Sequence, residues 1–351
     1  MTNKSLIIFT PGFAADEQDS TCIPALQQFV LEVKKLRPDL KLRVFSLHYP
    51  FTARNYLWNG IECYSFGGKN RGGIFGFFLR ARAKRHLRKI TQQESVQAIL
   101  SIWMLDCAMI SETLSRELNI PHFCWMHGQD ARPGNKFVMK IKPKPRHVIA
   151  ISDLLQKEFE KNYGIKAAHV IENGVGEEIF PEFNSGERRI DVLGVGSLSS
   201  HKNYSLFIDV VAQLKKEFPQ IKVMLIGEGP QRKMLENKIS SSGLNETIEM
   251  KGSIPRKDVL QYMSDAKVFL HTSEYEGSSG VIVEALYSGC CVVSTISLSL
   301  NPVKNIEPGA SAEELKSKIV SLLSGKIQHE RVIYNTMRHS AEKLLQIILQ
   351  D

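Results

Sequence analysis

Short apolar runs, each closed by small or polar residues and followed by apolar positions at helical spacing, recur along the whole chain. Ser5–Thr10 is the first, broken by Pro11-Gly12-Phe13-Ala14, after which Leu26, Phe29, Val30, Val33 and Leu36 share one face of a helix beginning near Cys22. Leu42–Leu47, Ile61–Tyr64, Ala98–Trp103, His122–Met126 and Val148–Ile151 continue the strands, and Ser152-Asp153 carries an N-cap signal for another helix. Strands alternating with helices predict a parallel sheet covered on both faces, the doubly wound α/β class. A polar, charged stretch over 177–189 interrupts the series, which resumes with D-V-L-G-V-G and then Val223–Ile226, G-E-G-P, with Pro230 suited to a first helical position. The pattern predicts two domains, 1–184 and 185–329, and a closing helix within 330–351.

The densest chemistry lies in T-S-E-Y-E-G-S-S-G-V-I-V-E-A-L-Y-S-G-C-C-V-V, residues 272–293. Small residues from Gly277 to Gly280 separate the apolar V-F-L from V-I-V-E-A-L-Y, the punctuation of a strand, a tight loop and a helix. Amides at that helix start, together with the helix dipole, suit a phosphate, and Gly277 and Gly280 permit close approach of a ligand. Glu284 interrupts Val281, Ile282, Val283, Ala285 and Leu286, where a charge needs a polar partner. Its carboxylate can accept from the vicinal diol of a ribose, and Glu276 can hold a second hydroxyl-rich group. By spacing alone, two solvated surface glutamates account for the pair equally well. G-V-G-S-L-S-S-H-K-N-Y brings Lys202 to a helix start at Asn203, a cation suited to a diphosphate or a lysine simply facing solvent. W-M-H-G-Q-D sets His127 at the C-terminal end of a strand, where open α/β sheets bind ligands and where ordinary turn residues also sit.

The E-G step at 276–277, the second glutamate at 284, E-A-L and S-G-C-x-V-V together resemble glycosyltransferase family 4, best over 190–295, less over 121–180 and weakly over the first hundred residues. The resemblance implies a GT-B fold, two Rossmann-like doubly wound domains facing a central cleft, with the 330–351 helix crossing back to the first. It implies a retaining hexosyltransferase that moves a sugar from a nucleotide diphosphate sugar to a hydroxyl of a glycan or lipid-linked acceptor, with no metal and no cofactor beyond that co-substrate. His127 would lie beside the donor sugar, with Asp130 orienting it or meeting the acceptor. Lys202 and the segment Gly277, Ser278, Ser279, Gly280 and Val281 would hold the diphosphate, Glu284 the ribose and Glu276 the sugar. Gly12, Gly196 and Ser197 would border the donor, Ile254 in K-G-S-I-P would meet the base, and Asn70 and Arg71 in the 67–73 loop would meet the acceptor. Three departures stand out. Ser197 occupies a position where relatives carry arginine, so Arg256 is a candidate substitute. Ser278-Ser279 stands for Phe-Gly, and S-T-I-S-L-S-L-N-P lacks an expected glycine-rich segment. A binding scaffold without turnover and a nucleotide-sugar epimerase remain open as alternatives, and the donor base is not legible.

A length of 351 residues with 43% hydrophobic residues suffices for two sizeable cores. No apolar run approaches the ~20 residues of a membrane span, and the opening M-T-N-K leads straight into L-I-I-F-T. Both point to a cytoplasmic protein, with peripheral attachment at the inner face of a membrane as an option. Cys22, Cys63, Cys107, Cys124, Cys290 and Cys291 form no C-x-x-C and read as reduced. The net charge of +8 favours an anionic partner without naming it. Residues 79–90 set Leu79, Ala83, Leu87 and Ile90 on one stripe and six Arg or Lys on the others. Such a helix either packs on a sheet with a solvated outer face or contacts an anionic membrane or phosphorylated acceptor. No aromatic residues interleave with these charges, so nucleic acid is not expected. P-G-F-A also lacks the G-x-G-x-x-G of dehydrogenases.

Overall fold

The computed structural model describes residues 4–71, 73–183 and 185–350. Contacts divide the chain into two units, one running up to Asn173 and resuming at Met337, the other spanning Gly174–Thr336.

In the first unit, β1 (Lys4–Gly12), α1 (Pro24–Leu36), β2 (Lys41–Tyr49), β3 (Arg54–Trp58), β4 (Ile61–Ser65), α2 (Gly73–Gln93), β5 (Ser95–Ile102) and α3 (Asp106–Leu118) follow one another. β6 (His122–Met126), α4 (Lys136–Ile141), β7 (Val148–Ala150), α5 (Asp153–Tyr163) and β8 (His169–Val170) continue the unit. The sheet order is β3-β4-β2-β1-β5-β6-β7-β8, parallel throughout except for the β3–β4 hairpin at the edge. Side chains of β1 alternate between two cores, as the twofold repeat of a strand requires. Leu6 and Ile8 join the core containing α1 residues such as Phe29 and Val33, whereas Ile7 and Phe9 join the one containing Leu79, Ala83, Leu87 and Ile90 of α2. The apolar stripe of 79–90 is therefore core, and Lys84 and Arg88 on its outer side bind Glu117 at 2.8 and 2.7 Å. Ser152 caps α5 by accepting from the Leu155 amide.

The second unit comprises β9 (Ile190–Val195), α6 (Tyr204–Glu217), β10 (Val223–Ile226), α7 (Arg232–Ser241), β11 (Ile248–Gly252), α8 (Arg256–Ser264), β12 (Ala266–His271), α9 (Gly280–Tyr287), β13 (Cys291–Ser294), β14 (Ile306–Pro308) and α10 (Ala312–Ser324). Its parallel sheet runs β11-β10-β9-β12-β13-β14. Val192 and Leu193 of β9 again enter opposite cores. The last helix, α11 (Met337–Gln350), belongs to the first unit, where Ala341, Leu344 and Ile348 pack with α1 residues.

Four sequence readings are adjusted. The first crossing falls at Asn173–Gly174, ahead of 184/185, because Val175 already joins a second-unit core and bridges Thr336. The closing helix starts at Met337, the residues from 330 to 336 belonging to the second unit. Pro230 precedes α7 without being its first residue, since Gln231 is the cap. β3 was not anticipated, because R-N-Y-L-W is a largely exposed edge strand without an apolar run. All six cysteines are free thiols and all but Cys22 are buried.

Candidate functional site

In both sheets the chain reverses its direction of winding next to a central strand, and open α/β sheets bind ligands at the C-terminal strand ends there. In the second unit this point lies between β9 and β12, and the loops leaving these two strands carry Gly196–Lys202 and Thr272–Ser279.

Gly196 has φ +155°, and a Cβ on it would come within 2.7 Å of the Tyr204 hydroxyl. The loop then makes one tight turn and ends at Asn203, whose left-handed backbone (φ 48°) and side chain, accepting from the Leu206 amide, cap α6. This conformation folds Lys202 back along Gly196. Its carbonyl accepts from Thr272 Oγ1 at 2.9 Å, which ties the two loops together, and its Nζ contacts Glu276 Oε1. Glu276 Oε1 also accepts from Ser273 Oγ at 3.1 Å. Ser197 is exposed, with its hydroxyl 3.0 Å from that of Ser199.

Beneath this pair lies His271, which sequence reasoning missed. Its Nε2 stands 3.1 Å from Ser273 Oγ and 3.2 Å from Ser279 Oγ, and its Nδ1 3.2 Å from Ser294 Oγ. Burial, assisted by the Lys202 charge, pushes its pKa down to about 3, so the ring is a neutral brace for the loop. The one available signal was a polar residue ending the run A-K-V-F-L-H.

Ser279 precedes α9, and its carbonyl accepts from the Ile282 and Val283 amides. The amides of Gly280 and Val281, in the first turn, have no acceptor within the helix. A Cβ on Gly280 would meet nothing within 4 Å, so this glycine leaves open space at the helix start. One turn on, Glu284 Oε1 accepts from Arg256 Nη2 at 2.5 Å. Burial raises the Glu284 pKa and the arginine opposes it. Arg256 thus sits on Glu284, and its Nε is buried without a partner. Ile254 and Val281 are half-buried members of the same apolar cluster.

The remaining candidates lie in the first unit. Gly12 ends β1, and a Cβ there would press on Cys22 Sγ at 3.2 Å. His127 follows β6 between the rings of Trp103 and Trp125, with centroids 4.7 and 5.3 Å away. Its backbone carbonyl accepts from the Asp130 amide at 3.0 Å, and its Nε2 is buried without a partner. Burial pushes its pKa down to about 3. Asp130 Oδ2 accepts from the Met104 and His127 amides at 2.8 and 3.0 Å; its Oδ1 is buried and unpartnered, and burial raises its pKa to about 7. Asn70 and Arg71 are exposed in the loop after β4, and Gly72 of that loop lies outside the described residues.

Residues 30–178 match the family described as Glycosyltransferase Family 4, and residues 175–339 match Glycosyl transferases group 1. The chain is a GT-B protein related to these glycosyltransferases. Among individual relatives, an uncharacterized glycosyltransferase of Methanocaldococcus jannaschii is 26% identical over 214 residues, 59% of this chain and 58% of that protein. The 2-deoxystreptamine N-acetyl-D-glucosaminyltransferase of Niallia circulans is 31% identical over 104 residues, 30% of this chain and 27% of its own length. The match therefore spans less than two thirds of either protein. In three dimensions the chain is similar to the Anabaena protein HepE, solved in complex with UDP and glucose, with TM-score 0.70, 18% identity and coverage of 100% and 98% of the two chains. Among the described residues no helix is long and apolar enough to cross a membrane, and no three His, Cys, Asp or Glu side chains could hold a metal ion.

Proposed function

We propose that this GT-B protein is a retaining, metal-independent glycosyltransferase whose second unit binds a nucleotide diphosphate sugar and whose first unit takes the acceptor. The observation that carries this reading is the convergence of Lys202, the Gly280 and Val281 amides, Glu276 and Glu284 on the β9/β12 switch point. Lysine offers three N–H donors, so Lys202 can keep Glu276 and still reach phosphate oxygens. With the two amides it meets the charge that develops on the leaving diphosphate, an electrostatic contribution that is commonly the largest in such reactions. Glu276 accepts from sugar hydroxyls. Glu284 gives Oε1 to Arg256 and keeps acceptor capacity for a ribose diol. We assign the buried, unpartnered His127 Nε2 to a sugar hydroxyl.

A UDP-sugar is the first donor to test, since the similar HepE structure holds UDP and glucose. A thermal-shift panel of uridine, guanosine and adenosine diphosphates with their sugars is expected to give one clear shift. A ligand at ~100 times its Kd stabilises a protein by about 2.7 kcal/mol. Lys202→Ala should weaken binding and transfer by roughly 10- to 100-fold, the ~1.5–3 kcal/mol of a charge-assisted contact, and Glu284→Ala should chiefly weaken nucleotide affinity. No shift with any nucleotide, or shifts in both variants as large as in the unsubstituted protein, would refute the donor site. Ser197, which supplies no cation, favours one second reading, a scaffold that binds without turnover; binding with no sugar transfer to any acceptor would select it.

A further inference from the structure

Two adjoining cavities of about 390 Å³ each lie in the first unit, sharing Arg71 and Leu79. The first opens at C-terminal strand ends. His48 comes from the end of β2 and Asp106 from the start of α3, with Arg71, Arg80, Lys136 and Lys140 around them. His48 Nδ1 accepts from the Asn70 amide at 3.3 Å, so Nε2 donates to Asp106 Oδ2 at 2.8 Å. Gly68 makes this loop possible, because a Cβ on it would lie 2.7 Å from His48 Nδ1 and 2.8 Å from the Leu47 carbonyl. Arg71 and Lys136 rest near the rings of Phe75 and Phe137, and none of the four cations has a carboxylate partner among the described residues. Asp106 is the one carboxylate of the lining that could oppose them, and His48 already holds it.

The second cavity contains no carboxylate. Its walls are Phe51, Phe66, Phe75 and Phe78, with Lys69 and Arg82. Phe51, Phe75 and Phe78 are 55–65% exposed, and Phe77 beside them is 61% exposed. Large aromatic side chains left this open in one place mark an interface, because isolated exposure is common but a contiguous patch is not. An uncompensated cationic cavity opening onto a phenylalanine patch is complementary to one chemistry, a phosphate joined to an apolar chain. The apolar stripe of α2 is already buried, so these phenylalanines, ahead of the stripe, are what a lipid would meet.

We propose that the first unit binds a lipid-linked phosphate, the phosphate or diphosphate seated among Arg71, Arg80, Lys136 and Lys140 and the chain lying along Phe51, Phe75 and Phe78. The ligand's role as acceptor rests on the transferase reading above; its binding does not, and is tested without donor. The whole chain is sedimented with phosphatidylcholine vesicles carrying phosphatidic acid, or carrying oleate at matched charge, an anionic lipid without phosphate. Inorganic diphosphate serves as the soluble competitor.

Binding to phosphatidic acid should exceed binding to oleate and be displaced by diphosphate. Arg80→Gln with Lys140→Gln should weaken it roughly 30-fold, since each cation near an anionic surface contributes about fivefold. Phe75→Ser with Phe78→Ser should release vesicles while keeping diphosphate bound. Circular dichroism and melting temperature verify that both variants fold. Equal binding to both lipids, or no loss in Arg80→Gln with Lys140→Gln, overturns the phosphate cavity. Diphosphate binding without vesicle binding, or vesicle binding indifferent to the phenylalanines, overturns the lipid. Because the donor assay uses second-unit residues and no lipid, each result stands without the other.

Discussion

Asp130 is a buried carboxyl whose burial favours the protonated form, against the two amides that donate to Oδ2 and favour the ionised one, while its Oδ1 is unpartnered. Its folded-state pKa is raised from 3.8 to about 7. A group raised in this way contributes stability fully below its unfolded value and loses it as pH rises through the folded one. The melting temperature should therefore fall as pH rises from 3.8 to about 7 and level off above that. Asp130→Asn keeps an oxygen for the Met104 and His127 amides and cannot ionise, so its melting temperature should fall less over the same interval. Parallel curves for the two proteins would mean that Asp130 stays ionised in the fold. His127 and His271 are pushed the other way, to about 3, and stay neutral at neutral pH.

At the scale of elements, two glycines that look alike in the sequence are expected to behave in opposite ways. Gly280 opens α9 with open space where a Cβ would go. Gly280→Ala should leave the melting temperature unchanged or raise it, by up to ~1 kcal/mol of stability, while weakening nucleotide binding. Gly227 has φ +148°, and a Cβ there would lie 1.8 Å from the Gly196 carbonyl oxygen, so Gly227→Ala should destabilise the second unit outright. Melts with and without the best nucleotide separate the two; a Gly280→Ala protein that binds normally would remove the helix start from the phosphate site. Sequence alone could not tell these glycines apart, because the difference lies in what approaches from another loop.

The same limit explains the other misses. Buried strands such as His122–Met126 and Val223–Ile226 were legible to the residue, since apolar runs bounded by turns need no partner to be recognised. The candidate loop was legible because its small residues lie next to each other. Arg256 joining Glu284, His271 under the loop, and the half-exposed β3 depend on neighbours distant in sequence, and no local pattern carries them.

For the whole molecule, the charge neutralisation proposed for Lys202 and the backbone amides leads to the expectation that transfer persists with EDTA present. Loss with EDTA and rescue by magnesium would contradict it. The return of α11 has a separate consequence for how the chain is made. The second unit is one unbroken stretch, Gly174–Thr336, whereas the first needs Ala341, Leu344 and Ile348 to cover Phe29 and Val33 of α1. Domains completed early in synthesis usually fold first. Here the ribosome must deliver all of the second unit before the first can seal its core. During synthesis the earlier half therefore waits with an apolar helix face uncovered while the later half matures.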